Sequence, residues 1–191
     1  MSSHHIVREK QEPALLVLGM EHFTDELLGQ LLEWSPTLIA TANTSEKLNA
    51  AGIKVDVVAG SSADPEDLQS HIKFIRATDT TETEAALTYL VEQKYPAVNV
   101  VTDDFVMDDY LAFADRINLV IYCGNQKIYP VSNGFNKWKP AAESIELLGP
   151  AKNLTVTGLN KIGENAYQTQ SDGFFSLQFA QPYLFIAENI L

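Results

Sequence analysis

The segment from Val55 to Pro65 reads VDVVAGSSADP. It begins as a short β-branched run, passes through glycine into a small polar loop, and ends where Asp64 and Pro65 suit the N-cap and first position of a helix. A buried strand that leads through a loop into a helix is the repeating step of an open α/β sheet, and ligands bind in such sheets outside the carboxyl ends of the strands. The loop that contains Ser61 and Ser62 is therefore a candidate ligand site.

Short β-branched runs alternate with helical patterns on both sides of this segment, from Ala14 to Thr102. Thr24 marks one helix start, because threonine suits an N-cap and two acidic residues follow it. This alternation is typical of βαβ units and predicts an α/β fold, with a mostly parallel sheet and helices on both faces. We expect this domain to span residues 14–131. Its last elements are predicted as a helix at Met107–Arg116 and strands at Leu119–Cys123 and Lys127–Val131.

The pattern changes at Ser132–Pro140, SNGFNKWKP, which is rich in turn-forming residues. Four to six short strand-like runs follow, separated by glycine and proline, and none of them has the pattern of an amphipathic helix. We expect a small C-terminal all-β sandwich over residues 140–191. So small a sandwich is only marginally stable alone, so we expect it to pack on the first domain or on another subunit.

The chain of 191 residues carries a formal net charge of -12 with only 13 lysines and arginines, which argues against binding to nucleic acid or to an anionic membrane. Cys123 is the only cysteine, so an internal disulfide framework and a cysteine-based zinc site are excluded. No apolar run approaches the roughly 18 residues of a membrane span, and the polar start lacks the apolar core of a signal peptide. We expect a cytoplasmic protein.

The order and spacing of these segments resemble the thiamin pyrophosphokinase family over nearly the whole chain from about residue 14. Thr41–Ser45 stands where the family has an Ala-Asp-Gly-Gly-Ala turn, so the aspartate and both glycines are replaced. Val55–Asp64 corresponds to the strand and Gly-Asp-x-Asp-Ser of the family. It keeps the strand and Gly60, but Ser61 and Ala63 occupy the two acidic positions.

Two further landmarks follow. Thr81–Leu87 resembles the Thr-Asp helix start of the family, with Glu82 in place of aspartate, and Asp79 falls where the family often has another acid. Asp104–Asp109 is the best match to Gly-Gly-Arg-x-Asp-His and keeps only Asp108. In the second domain the similar elements are Val156–Leu159, Ser171–Asp172 and Gln181–Leu184.

The resemblance implies a specific fold and chemistry. Members of the family transfer pyrophosphate from ATP to thiamin, with an α/β catalytic domain, a β-sandwich that helps to bind thiamin, and a dimeric assembly. By this resemblance, thiamin and ATP are the expected ligands, Mg²⁺ is the expected ion if the protein is active, and a homodimer is the expected assembly. The implied catalytic residues are Glu82 and Asp108; the implied metal ligands are Asp64, Glu82 and Asp108; the implied substrate- and nucleotide-binding residues are Ser61, Ser62, Asp79, Trp138, Ser171 and Asp172.

The replaced residues leave activity open. Pyrophosphate transfer depends on positioning and on neutralising phosphate charge, which serine and alanine do far less well than carboxylate-bound metal and arginine. The sequence therefore favours a thiamin pyrophosphokinase-like protein with weak or lost catalysis. The alternative is a non-catalytic binding, sensing or interaction protein on the same dimeric scaffold.

Several candidate residues also have a purely structural interpretation. Ser61, Ser62 and Asp64 suit a turn and a helix cap. The acidic group Asp103, Asp104, Asp108 and Asp109 is either a rearranged metal site or a set of solvated loop and cap residues. Trp138 either stacks on an aromatic ligand or covers the domain junction from a flexible polar stretch.

Overall fold

A computed structural model describes residues 12–61 and 72–190 of the chain. Contacts divide the protein into two compact units, Met1–Leu119 and Val120–Leu191. This division falls before residue 131, the end of the α/β domain expected from sequence. The reason is that strand β7 (Gln126–Ser132) pairs along its whole length with β14 (Tyr183–Asn189) of the second unit.

The first unit alternates strands and helices, as the sequence predicts. Its strands are β1 (Ala14–Val17), β2 (Leu38–Thr41), β3 (Val57–Gly60), β4 (Lys73–Arg76) and β5 (Ala97–Thr102); its helices are α1 (Asp25–Leu32), α2 (Ala42–Ala50), α3 (Glu82–Glu92) and α4 (Asp108–Leu111). The strands pair in the order β5-β1-β2-β3-β4, and the pairs β1–β2, β1–β5, β2–β3 and β3–β4 are all parallel. The parallel sheet predicted from sequence is therefore confirmed.

Burial follows the position of each strand in this sheet. Every residue of β1, β2 and β3 is buried, as expected for strands with a neighbour on each side and covered faces. β4 is the outermost strand among the described residues, and its terminal residues Lys73 and Arg76 are exposed. The core of the unit thus lies around the three central strands, whose carboxyl ends all meet at one edge.

Threonine hydroxyl groups start three helices. Thr24 accepts a hydrogen bond from the backbone N–H of Leu27, and Thr81 accepts one from Glu84, so the predicted starts of α1 and α3 are correct. Thr41 caps α2, which begins at Ala42. The predicted strand–loop–helix unit is seen as far as Ser61, whereas Asp64 and Pro65 lie outside the described residues.

The predicted helix at Met107–Arg116 is shorter than expected. α4 covers only Asp108–Leu111, and turns follow it. The backbone N–H groups of Phe113 and Arg116 donate to carbonyl groups three residues earlier, at Tyr110 and Phe113. This tighter winding is the geometry of a 3₁₀ turn, which seldom continues for long.

The second unit is all β. The described part of residues 140–191 contains six strands, in agreement with the four to six expected there from sequence. The first sheet of the second unit pairs in the order β6-β7-β14-β9-β12-β11, and the second sheet in the order β10-β13-β8. Beyond β7 and β14, the strands are β6 (Asn118–Cys123, which starts at the end of the first unit), β8 (Phe135–Lys139), β9 (Ser144–Leu148), β10 (Thr155–Thr157), β11 (Leu159–Lys161), β12 (Ala166–Thr169) and β13 (Gly173–Gln178).

A single apolar cluster lies between these two sheets. Phe175 and Leu177 of β13 enter it from the smaller sheet, and Leu147 and Ile186 enter it from the larger one. Alternate residues of β13 and β9 are buried, which is the pattern of strands with one face toward a sandwich core. The all-β sandwich predicted for this part of the chain is therefore present.

The segment SNGFNKWKP forms a turn followed by a strand rather than an irregular loop. Its turn contains Gly134 at φ +83°, and β8 follows it directly. Trp138 consequently lies in a strand paired with β13, and the expectation of a flexible stretch around it was wrong.

Among the residues described, none of the helices combines the length and apolar character needed to cross a membrane.

Candidate functional site

The loops that follow β1 and β5 are hydrogen-bonded to each other at the carboxyl edge of the parallel sheet. The backbone N–H of Leu18 donates to the carbonyl of Val101 at 2.8 Å, and Oδ1 of Asp103 accepts the backbone N–H of His22 at 3.0 Å. A Cβ placed on Gly19 would overlap the Asp103 carboxylate and lie 3.1 Å from its backbone nitrogen. Glycine at this position therefore lets the Asp103 carboxylate pack directly over the β1 loop.

The start of α2 joins the same network. The Thr44 hydroxyl donates to the carbonyl of Leu18 at 3.1 Å and also accepts a hydrogen bond from Thr41. One turn later, Lys47 forms an ion pair with Glu21 of the β1 loop. The hydrogen bond and charge of Glu21 raise the pKa of Lys47, and the charge of Asp103 acts in the same direction. The segment from Thr41 to Lys47 thus serves to cap α2 and to hold the β1 loop.

Glu82 at the start of α3 reaches back to the end of β3. A Cβ on Gly60 would lie 3.6 Å from Oε1 of Glu82, so this carboxylate lies directly over the glycine. The backbone N–H of Ser61 donates a hydrogen bond to the same carboxylate. Burial raises the pKa of Glu82, and the Ser61 hydrogen bond opposes that rise only in part. Glu82 and Ser61, both candidates from sequence, are therefore in direct contact.

The other acidic candidates of the first unit point to solvent or serve the backbone. Asp79 is exposed in a turn and has a positive φ of 61°, a conformation that aspartate tolerates better than most residues. Asp108 is exposed at the first residue of the short helix α4. Asp104 is also exposed, and its backbone N–H and carbonyl both bond the hydroxyl of Thr102. Asp79, Asp104 and Asp108 are therefore not part of the contact between Glu82 and Ser61.

Asp103 and Glu82, the two carboxylates that pack over strand-end glycines, are too far apart to share one magnesium ion. Asp103 packs over the loop that follows β1, and Glu82 packs over the end of β3, with β2 between them. Two strand spacings amount to about 10 Å, whereas two ligands of one Mg²⁺ ion lie within about 4 Å of each other. Within residues 12–61 and 72–190, no group of three or more histidine, cysteine, aspartate or glutamate side chains is placed to hold a metal ion. Ser62 and Asp64, two of the candidates from sequence, lie outside those ranges.

The candidates of the second unit lie near one end of the smaller sheet. Trp138 of β8 is directly opposite Phe174 of β13, and the two side chains are 53% and 69% exposed. Asp172 accepts the backbone N–H of Ala141 at 2.8 Å and so fixes the turn that follows β8. Ser171 is exposed beside it. This arrangement is a pair of exposed aromatic rings next to an anchored turn.

A cluster that sequence reasoning missed surrounds Glu188, which is only 4% exposed. Nζ of Lys137 lies 2.8 Å from both carboxylate oxygens, Nζ of Lys139 lies 3.1 Å from one, and the Tyr129 hydroxyl donates at 2.6 Å. Burial would raise the pKa of Glu188, but hydrogen bonds from Lys137 and Tyr129 hold it below its usual value. We call Lys127, Lys137 and Lys139, with Glu188 at their centre, the lysine cluster.

Comparison with known proteins gives a consistent picture of the fold. No protein-family model and no curated protein matches the sequence. A probable thiamine pyrophosphokinase from Staphylococcus saprophyticus superposes with a TM-score of 0.68 at 13% identity, covering 93% of this chain and 98% of that one. The thiamin pyrophosphokinase of Geobacillus thermodenitrificans gives 0.68 at 14% identity, covering 92% and 97%. The yeast enzyme gives 0.69 at 10% identity, covering 96% and 88%.

A parallel α/β unit followed by an antiparallel β-sandwich defines the fold class. Solved structures that cover nearly the whole chain then specify it further: this protein has the thiamin pyrophosphokinase fold. The resemblance seen in the sequence is confirmed at the level of fold. At 10% to 14% identity, the superpositions show that the backbones share a fold. They do not show that individual side chains share a chemical role.

Proposed function

We propose that this chain is a thiamin pyrophosphokinase-like protein that binds thiamin and ATP and transfers pyrophosphate slowly or not at all. The shared fold supports the choice of ligands, since neighbours that cover 93% of the chain are thiamin pyrophosphokinases. In this proposal the first unit carries the nucleotide site and the second unit contributes to thiamin binding, with Trp138, Ser171 and Asp172 as its candidates. The assembly we propose is a homodimer.

One contact carries the proposal of weak transfer. Glu82, the best-matched acidic candidate, already accepts the Ser61 backbone N–H, and its pKa is raised by burial. A carboxylate in such a place binds a proton more readily and a cation less readily than a solvated one. Ser61 itself supplies a hydroxyl where the family motif has an acid, and a hydroxyl brings no negative charge. Both features reduce the anionic charge available at the strand ends.

The second candidate is a non-catalytic binding, sensing or interaction role on the same scaffold. The exposed pair of Trp138 and Phe174 favours it, because large aromatic side chains are enriched where proteins bind partners. In that case the strand-end loops keep their structural contacts, and the second unit provides the contact surface.

Direct assay separates these functions. The purified protein is incubated with thiamin, ATP and Mg²⁺, and AMP and thiamin diphosphate are measured by chromatography. We expect little or no thiamin diphosphate. Fast product formation that is abolished in Glu82→Gln and retained in Glu84→Gln would overturn the proposal. Glu84 is a matched control, since it lies in the same first turn of α3 but is exposed.

Binding is measured separately by thermal shift. Thiamin and ATP are expected to raise the melting temperature, because a ligand that binds only the folded state stabilises it. If neither ligand shifts the melting temperature, the ligand assignment fails and the interaction role becomes the better account. Light scattering on the same sample reports whether the chain is a dimer.

A further inference from the structure

Lys127 lies in a row of polar side chains on the larger sheet of the sandwich. In the register of the strands β6, β7 and β14, it is directly opposite Tyr122 on one side and Glu188 on the other. Residues directly opposite each other in an antiparallel pair project from the same face, with Cβ atoms about 5 Å apart. Lys127 therefore has one phenol and one carboxylate as its cross-strand neighbours.

Neither neighbour provides an anion that is free to pair with Lys127. The carboxylate of Glu188 already bonds two lysines of β8, at 2.8 Å and 3.1 Å, and accepts the Tyr129 hydroxyl at 2.6 Å. Burial raises the pKa of the Tyr122 phenol, so this side chain is uncharged at physiological pH. Within the described part of the chain, Lys127 accordingly forms no ion pair.

The charges around Lys127 balance only when Lys127 itself is neutral. Lys137 and Lys139 lie in the facing sheet, and two carboxylates pair with them: Glu188, and Glu143 at 3.5 Å from Nζ of Lys139. A third ammonium group in this half-buried place would have no counter-ion, which is costly. Burial lowers the pKa of Lys127, and the charges of these two lysines lower it further, against the opposing charge of Glu188. The packing and the charges thus both favour the uncharged amine.

An uncharged amine is the form of lysine that reacts with carbonyl compounds. Desolvation and a neighbouring cation are the two conditions that activate a lysine as a nucleophile, and Lys127 has both. The residue is half-buried rather than fully enclosed, so a small molecule can approach it from solvent. An imine would add no charge to a group of side chains that is already balanced.

We propose that Lys127 is a covalent binding site for small neutral aldehydes, which it holds reversibly as an imine. The lone pair of Nζ attacks the carbonyl carbon and forms a C–N bond. The carbonyl oxygen then leaves as water with the two hydrogens of the neutral amine, and a C=N bond remains, so no oxidant or reductant takes part. The site lies within the second unit and does not depend on the proposed pyrophosphate transfer.

Reductive trapping measures imine formation at each lysine. The full chain is treated with propanal and sodium cyanoborohydride at pH 7, and the N-propyl lysines are identified and timed by peptide mass spectrometry. We expect Lys127 to react at least about tenfold faster than Lys161, because more of its amine is uncharged. Lys161 is the reference, since it is an exposed lysine of the same unit. Equal rates, or a faster reaction at Lys161, would overturn the proposal.

The pH dependence separates loss of the proton from simple access to solvent. At pH 11 an ordinary lysine is also mostly uncharged. The advantage of Lys127 over Lys161 is therefore expected to disappear between pH 7 and pH 11. An advantage of the same size at both pH values would contradict the proposal, because the charge state of Lys127 would not be its cause.

A variant tests the role of the lysines in the facing sheet. Lys137→Gln removes one positive charge and frees part of the Glu188 carboxylate to pair with Lys127, so Lys127 is expected to react about tenfold more slowly. Improved access through the shorter side chain would have the opposite effect. Lys161→Gln is the matched control and should leave the rate at Lys127 unchanged. An unchanged or faster reaction at Lys127 in a folded Lys137→Gln variant would overturn the proposal, and the two measurements on the wild-type chain do not depend on whether this variant folds.

Discussion

Glu82 and Asp103, at the strand ends of the first unit, have different hydrogen-bond donors from Glu188, in the sandwich of the second unit. Glu82 and Asp103 accept backbone N–H groups of neighbouring loops, and a glycine lies beneath each carboxylate. Glu188 is held instead by side-chain donors, two of them lysines. The pKa of Glu82 is raised and that of Glu188 is lowered. Burial raises the pKa of both carboxylates, so the hydrogen-bond donors decide which of them keeps its charge.

The largest effect is expected from removing the charge of Glu188. Glu188→Gln leaves the three lysines around a neutral amide and is expected to reduce the free energy of unfolding by about 3 kcal/mol. Urea unfolding at pH 7 measures it. Glu164→Gln is the control, since Glu164 is exposed in the same unit, and its effect is expected within about 0.5 kcal/mol. A loss at Glu188 as small as that of the control would contradict our account of the cluster.

The pH dependence of stability extends the test of Glu188. The pKa of this side chain is lower in the folded state than the usual value of about 4.3, since the lysines and Tyr129 outweigh burial. Its contribution to stability is therefore present above that usual value and is lost as the pH falls through the lowered pKa. Wild type and Glu188→Gln should converge in stability at low pH. If their difference stays constant with pH, the charge of Glu188 is not the cause.

The close approach at Gly19 gives a smaller effect in the other region. Gly19→Ala places a Cβ against Asp103 and is expected to cost about 2 kcal/mol, because the backbone nitrogen of Asp103 cannot move aside as a flexible side chain would. Gly29→Ala is the matched control, since Gly29 lies in α1 with no atom within 4 Å of the added Cβ. There the substitution is expected to raise stability by about 0.5–1 kcal/mol. Equal effects at the two glycines would disprove the packing of Asp103 on the loop.

The smallest effect is expected at Glu82. Glu82→Gln keeps an oxygen to accept the Ser61 N–H and removes a charge that burial disfavours, so stability at pH 7 should be unchanged or slightly higher. The raised pKa means that this charge costs stability above the folded pKa and costs nothing below the usual pKa. Any gain should therefore disappear in acid, as thermal unfolding at pH 7 and pH 3 would show. A clear loss at pH 7 would mean that ionised Glu82 stabilises the fold.

The sequence predicted the first unit well because its signals are local. Thr24 and Thr81 are capping residues followed by acids, and both start helices at the expected places. The central strands are continuous apolar runs, which only a doubly covered parallel sheet accommodates. Thr41 was missed as a cap, since its hydroxyl acts together with Thr44, which is anchored to the distant carbonyl of Leu18.

The candidate sites were harder to predict because they depend on pairing register. Lys137 and Lys139 are two residues apart in a strand and so had to share a face. That their partner is Glu188 follows only from how the two sheets of the sandwich face each other, which no local pattern reports. In the first unit, Asp79, Glu82 and Asp108 belong to neighbouring motifs of the sequence. Each of these side chains is nevertheless placed by a different loop or helix.

Strand β4 has a consequence for how molecules of this protein meet. An outermost strand presents unpaired backbone groups on which a foreign strand can add, and long flat edges invite aggregation. β4 offers only four residues, and Lys73 and Arg76 stand exposed at its two ends. A strand from another molecule would gain few ladder hydrogen bonds there and would have to accommodate both cations, so β4 discourages the parallel sheet from growing into a second molecule.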